Sequence, residues 1–309
     1  MIESAILAAS DLSPRSAQVA ARAASIAATL DARLLLTHVA PPSVTESQSH
    51  SEREPDEVVG AEADAAQSEG RPGALLALGK RLLNRRNRQA AADPEAVLHA
   101  VTRGLSPAPE IRVLTGLPAE ELAGLARREA AVLIVLGLHG VRRVLDLLRL
   151  TTMEQIVLAA PAPVLIAHRD AAQPYRRVLA LTDFSPASAA AIRVAARLAP
   201  KAEFHAIHAL KLPLGARFTA QDAASDDSLT QAEQMRAAFL ATPGLPEFAE
   251  PPEIVPGGVH EVLGYRQREL SADLVCIGTH SGRDPRQLGF YARDLMRAPP
   301  TDLLVAKPA

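Results

Sequence analysis

Two stretches of this chain carry residue types that could hold an anion. The segment 278–290, GTHSGRDPRQLGF, follows the apolar run Leu274-Val275-Cys276-Ile277, and GLHG at 137–140 follows the apolar run AVLIVL. A buried strand leading into a glycine-punctuated turn and then a helix is where α/β proteins often hold phosphates. Glycine lets the backbone approach closely, and a helix start presents amides to negative charge. Other chemistries fit less well. GTHSG spaces Ser281 as Gly-x-x-Ser-Gly rather than the Gly-x-Ser-x-Gly of a nucleophile elbow. His205 and His208 in EFHAIHAL are three apart, so on a strand they face opposite sides and cannot share a metal ion. Gly79-Lys80 lacks the spacing and the Ser/Thr of a P-loop, and no Gly-x-Gly-x-x-Gly follows the first strand. No catalytic residue and no metal site is therefore expected.

The elements that must position these turns occur twice. AILAASDLSPRSA (5–17) returns as RVLALTDFSPASA (177–189), so that Asp11, Ser13, Pro14, Ser16 and Ala17 recur as Asp183, Ser185, Pro186, Ser188 and Ala189, displaced by 172. The displacement shrinks to 141 for AVLIVLGLHG (131–140) against ADLVCIGTHS (272–281), and to 139 for PAPVLIAHR (161–169) against PTDLLVAKP (300–308). The first copy thus carries a surplus, which coincides with the acidic, polar stretch 43–72 and reads as an insertion. The second copy has lost two residues from the turn after its fourth strand.

Each copy alternates strands and helices. Strands are expected near 4–10, 33–39, 110–114, 131–136 and 163–168, then near 177–182, 202–209, 252–255, 273–277 and 302–306. Helices are expected near 14–29, 74–103 (broken at Pro94), 118–129 and 152–159. Runs such as LLLTHV are apolar without alternation, as parallel strands buried on both faces are. Ser13-Pro14 and Ser185-Pro186 each place a capping serine before a proline at the first helical position. The expected fold class is α/β: two five-stranded doubly wound parallel-sheet domains at 1–170 and 176–309, joined by the linker DAAQPY at 170–175. Each copy is expected to fold around its own layered sheet. The apolar final strands PVLIAHR and DLLVAKP would pair edge to edge about a pseudo-twofold axis.

Composition agrees with this class. The chain has 309 residues, 48% hydrophobic and 22% charged, which suits two domains of roughly 150 residues each. A net charge of -2 favours neither nucleic acid nor membrane partners, and the single cysteine suits a reducing cytoplasm. The start MIESAILAAS lacks the pattern of a signal peptide, and no apolar run is long enough to span a bilayer. Lys80, Arg81, Arg85, Arg86 and Arg88 form the solvated side of an amphipathic helix whose other face carries leucines.

The ordered motifs resemble a tandem universal stress protein, with a strand ending in Asp, a serine-containing cap, and a closing glycine turn before a short helix and a final strand. The resemblance covers the chain outside 43–72. It implies an adenine nucleotide, ATP or AMP, at the carboxyl ends of the strands. Asp11 and Asp183 would face the ribose and adenine, and the backbone around Val39 would meet the base. Gly116, Gly137, Gly140, Thr151 and Thr152 would cradle phosphates in the first copy; Gly257, Gly278, Ser281, Gly282 and Gly289 would do so in the second. The family pattern closes with Gly-x-x-Gly, nine residues, then Gly-Ser/Thr. The first copy departs from it with Leu150-Thr151, and the second with Ser281, a loop of seven residues, and Phe290. Leucine resists positive φ and would place an apolar side chain among phosphate oxygens. The resemblance thus implies a stress-response regulator, homodimeric or bound to another protein, with a nucleotide in the first copy and a degenerate second site. The alternative is a scaffold in which both sites have decayed. Robust catalysis is not expected, and slow ATP hydrolysis is left open.

Overall fold

The computed structural model describes residues 4–42, 93–138, 150–169, 173–210, 226–279 and 287–307. The insertion at 43–72, the basic helix with Lys80 to Arg88, and the expected site residues Gly140, Ser281 and Gly282 lie outside them.

The first half contains β1 (Ala5–Ser10), α1 (Ser16–Leu30), β2 (Arg33–Ala40), α2 (Pro94–Val101), β3 (Glu110–Thr115), α3 (Pro118–Arg128), β4 (Ala131–Gly137), α4 (Thr152–Ala159) and β5 (Val164–Ala167). The second half follows with β6 (Arg177–Leu181), α5 (Pro186–Leu198), β7 (Glu203–Leu210), α6 (Asp226–Leu240), β8 (Glu253–Pro256), α7 (Val259–Glu269), β9 (Leu274–Gly278), α8 (Phe290–Arg297) and β10 (Asp302–Ala306). All the expected strands form, within a residue or two at their ends.

The strand order is β3-β2-β1-β4-β5-β10-β9-β6-β7-β8. Each half has the order of a doubly wound unit and is parallel throughout. Among the described residues the one antiparallel pairing joins β5 to β10, as the apolar final strands led us to expect. Residues on alternate sides of β1 show why both faces must be covered: Ile6 and Ala8 pack with α1, while Ala5 and Leu7 pack with the α3 and α4 layer.

Two expectations are corrected. The core does not divide between the halves. One apolar cluster lies under α1, α2, α5 and α6, the other under α3, α4, α7 and α8, and each runs across both halves. Pairing β5 with β10 makes one sheet of ten strands, so each helical layer becomes continuous over it. Ser13 also does not cap α1. Its carbonyl accepts the Ser16 N–H at 2.9 Å in a turn, and the helix starts two residues late, after Arg15. Ser185 does cap α5: its hydroxyl accepts the Ser188 N–H, with Pro186 at the first helical position. Pro94 opens α2 behind the Asp93 cap, whose side chain accepts the Glu95 N–H. Cys276 is a core residue, and burial pushes its thiol up to about 12.

Candidate functional site

Both halves build the same turn where the first strand ends. Ser10 accepts the Leu12 N–H at 3.0 Å and donates to Ser16 Oγ at 2.7 Å, while the Asp11 carboxylate accepts the Ser13 N–H at 2.9 Å and the Ser16 hydroxyl at 3.3 Å. In the second half Thr182 accepts the Phe184 N–H at 2.8 Å and donates to Ser188 Oγ at 3.1 Å. Asp183 there accepts the Ser185 N–H at 3.1 Å and the Ser188 hydroxyl at 2.9 Å. Short polar side chains that bond the backbone two residues on fix a turn without help from the sheet. The strain falls on Leu12 (φ 59°) and Phe184 (φ 60°), both left-handed without being glycine. His38 Nδ1 lies 2.9 Å from the Ser10 carbonyl, and His208 Nδ1 lies 2.9 Å from the Thr182 carbonyl. A carbonyl only accepts, so Nδ1 carries the proton in both. His205 instead faces Glu203 at 3.2 Å, so the two histidines on β7 serve separate partners.

These turns stand at the carboxyl edge of the sheet, where β1 lies between β2 and β4 and the winding reverses. The parallel registers bring the neighbouring strand ends to the same edge: Ser10 opposite His38, and Val39 opposite Leu114. Asp11 follows β1, half-buried Val39 lies near the end of β2, Gly116 follows β3, and Gly137 ends β4. Asp183, Gly257 and Gly278 occupy the matching places on β6, β8 and β9. Asp11 is exposed, whereas Asp183 is half-buried.

The glycines divide into two kinds. Gly116 (φ +148°) and Gly257 (φ +149°) need glycine for their backbone, and their N–H groups donate to Ala40 O and Leu210 O, both at 3.0 Å. Gly137 and Gly278 need it for packing. A Cβ on Gly278 would meet Ala187 Cβ at 2.8 Å and the Ala187 carbonyl carbon at 2.9 Å, whereas one on Gly137 would meet only Val19 Cγ2, at 2.9 Å. Gly137 sits where α1 crosses the end of β4, and Gly278 where α5 crosses the end of β9.

The argument from positive φ at Leu150 is corrected. Gly289, its counterpart, caps α8 with φ −60° and ψ 150°, and Leu150 is not among the residues with positive φ. The turn therefore does not require glycine for its backbone. Leu150 and Phe290 stand 41% and 76% exposed at the starts of α4 and α8, so each presents an apolar side chain beside those helix N-termini. Thr152 is the exposed first residue of α4.

Sequence reasoning missed three features. Ser10 and Ser16, with Thr182 and Ser188, carry the turn; recurrence of the serines in the repeat was their signal. Arg15 reaches across the β1–β4 crevice and donates to Leu138 O at 3.3 Å, where the second half has only Ala187. The Thr151 hydroxyl is used in a capping box: it accepts the Glu154 N–H at 3.2 Å, and Glu154 accepts the Thr151 N–H at 2.7 Å. Glu154 is wholly buried and ion-paired to Arg293 at 3.3 Å and Arg297 at 3.0 Å, both from the second half. Burial alone would raise its carboxyl, but the Thr151 amide and the two arginines together hold it below the ordinary range.

The universal stress protein family model matches this chain twice, over residues 4–168 and 174–307. Solved structures share the fold along nearly the whole length. A universal stress protein from Archaeoglobus fulgidus DSM 4304 is 17% identical with a TM-score of 0.59, the match covering 99% of this chain and 98% of that one. A Pseudomonas aeruginosa UCBPP-PA14 protein assigned to the same family is 18% identical with a TM-score of 0.57, covering 99% and 94%. Among curated proteins nothing matches the chain. Among the described residues no helix is long and apolar enough to cross a membrane. Two matches in sequence, one on each half of a symmetric sheet, place this chain in the universal stress protein family, with the family's domain present twice.

Proposed function

We propose that this chain is a regulatory binding protein whose first half holds an adenine nucleotide, ATP or AMP, at the carboxyl ends of β1, β2 and β4, without turning it over. One observation carries the reading. The exposed Asp11 carboxylate is fixed by the Ser13 amide and the Ser16 hydroxyl at the point where the sheet's winding reverses. A carboxylate so placed accepts ribose hydroxyls, and the half-buried backbone at Val39 offers donors and acceptors to a base edge. Arg15 brings a cation to this edge where the second half has Ala187. The second half keeps the turn, with Asp183 half-buried and the space after β9 shortened by two residues, so its site is the degenerate one.

A second reading, a scaffold without nucleotide, is favoured by the start of α4. The capping box uses the amides of Thr151 and Glu154, and the Glu154 carboxylate already neutralises the helix dipole that phosphates would use. Thermal-shift titration with ATP, ADP and AMP separates the two readings. The nucleotide reading predicts a rise in Tm that Asp11→Ala removes and Asp183→Ala leaves. No shift at about millimolar ligand leaves only the scaffold. Release of ADP at high protein concentration would overturn the proposal that turnover is absent.

A further inference from the structure

We propose that the junction between the halves is heterotypic: the β5 edge of the first half and the β10 edge of the second recognise each other and reject a second copy of themselves. The β5–β10 register pairs Leu165 with Leu304, Val164 with Val305 and Ile166 with Leu303. In the repeat Leu165 and Leu304 are each other's counterparts, as are Val164 with Leu303 and Ile166 with Val305. The pseudo-twofold axis therefore passes between Leu165 and Leu304. Along the strands the junction is self-complementary, because every side chain there is aliphatic. Strand pairing by itself would accept two first halves as readily as one of each.

The charges on either side of the sheet break that symmetry. On one face Glu154 of α4 pairs with Arg293 and Arg297 of α8. The repeat makes Glu154 and Arg293 counterparts, and gives Arg297 the counterpart Leu158. On the other face Asp302, fully buried at the start of β10, lies 2.9 Å from Nε of Arg22 on α1, which is 3% exposed. Asp302 also accepts the Tyr175 hydroxyl and the His168 and Arg169 amides, each at 2.8 Å, and the Arg22 guanidinium sits 4.5 Å over the Tyr175 ring. The counterparts of Asp302 and Arg22 are Pro163 and Val194.

Homotypic pairing in the same geometry fails on both faces. Two first halves would set Glu154 against Glu154 and leave Arg22 facing Pro163. Two second halves would set Arg293 against Arg293 and leave Asp302 facing Val194. Each arrangement buries charge without its partner, a heavily penalised state. Each half contributes one buried carboxylate, on opposite faces, so both are satisfied only when a first half meets a second half. The apolar strands supply adhesion and the asymmetric ion pairs choose the partner.

A protease site inserted at 171–172 in the full chain, cut after folding, tests this by native mass spectrometry across a dilution series. The expected species are one-to-one complexes of first and second halves at every concentration, with free halves at the lowest. Pairs of like halves at any dilution would overturn the proposal. The uncut chain gives a measurement that does not depend on the fragments staying soluble. Arg293→Glu with Arg297→Glu should lower Tm by about 5 °C or more, further than Glu154→Gln does, and adding Glu154→Arg should regain at least half of the loss. A triple variant no more stable than the double would also overturn the proposal.

Discussion

At the residue scale, the turns at the sheet edge are held by side chains that bond both the backbone and one another. Ser10 and Thr182 hold the N–H groups of Leu12 and Phe184, and those two residues bear the left-handed strain. Gly278 shows how closely the parts approach. Gly278→Ala forces its methyl onto the Ala187 backbone, whereas Gly137→Ala meets one methyl of the Val19 side chain and no backbone. Urea unfolding should show a loss of about 1–3 kcal/mol for Gly278→Ala and a smaller one for Gly137→Ala. Equal losses would contradict the packing described. The sequence showed Asp11, Asp183 and the glycines, because they recur at a fixed displacement. It did not show why Gly278 is glycine, since that depends on a helix crossing, nor that Glu154 is buried, since its partners lie 139 and 143 positions away.

At the element scale, apolar runs and turn residues located every strand, and Pro94, Pro118 and Pro186 marked helix starts. Helix ends were harder to read, because alanine, serine and aspartate occupy positions that glycine usually marks. Ala130 (φ 50°) and Ser271 (φ 49°) are counterparts just past α3 and α7, and Asp31 (φ 48°) caps α1. Ala130→Gly should therefore raise stability by about 1 kcal/mol in the same urea assay, and a loss would contradict the left-handed assignment. The α4 cap carries a pH dependence. The Glu154 carboxyl is held below its ordinary value of 4.5, so it stabilises the fold above that value and loses this contribution as pH falls through the depressed one. Glu154→Gln should be less stable than the parent at pH 7, and the gap in urea midpoint should narrow as pH falls below 4.5. A gap unchanged over that range would remove the charged role given to Glu154.

At the scale of the whole molecule, duplication has produced one sheet from two family domains, and the cores have merged across the join. The repeat predicted two units and their meeting edges. It could not predict the merged core, because a shared helical layer follows from the antiparallel β5–β10 pairing and not from either copy alone. Calorimetry should accordingly give a single unfolding transition with matching calorimetric and van't Hoff enthalpies; two resolved transitions would mean the halves unfold independently. The two candidate sites are asymmetric as well, since Arg15 and the exposed Asp11 belong to the first half, while its counterpart holds Ala187 and a half-buried Asp183. Isothermal titration of the full chain with ATP and AMP tests this most directly. The account predicts one site per chain, lost in Asp11→Ala and kept in Asp183→Ala. Two sites per chain, binding that depends on Asp183, or no heat at about millimolar nucleotide would contradict it.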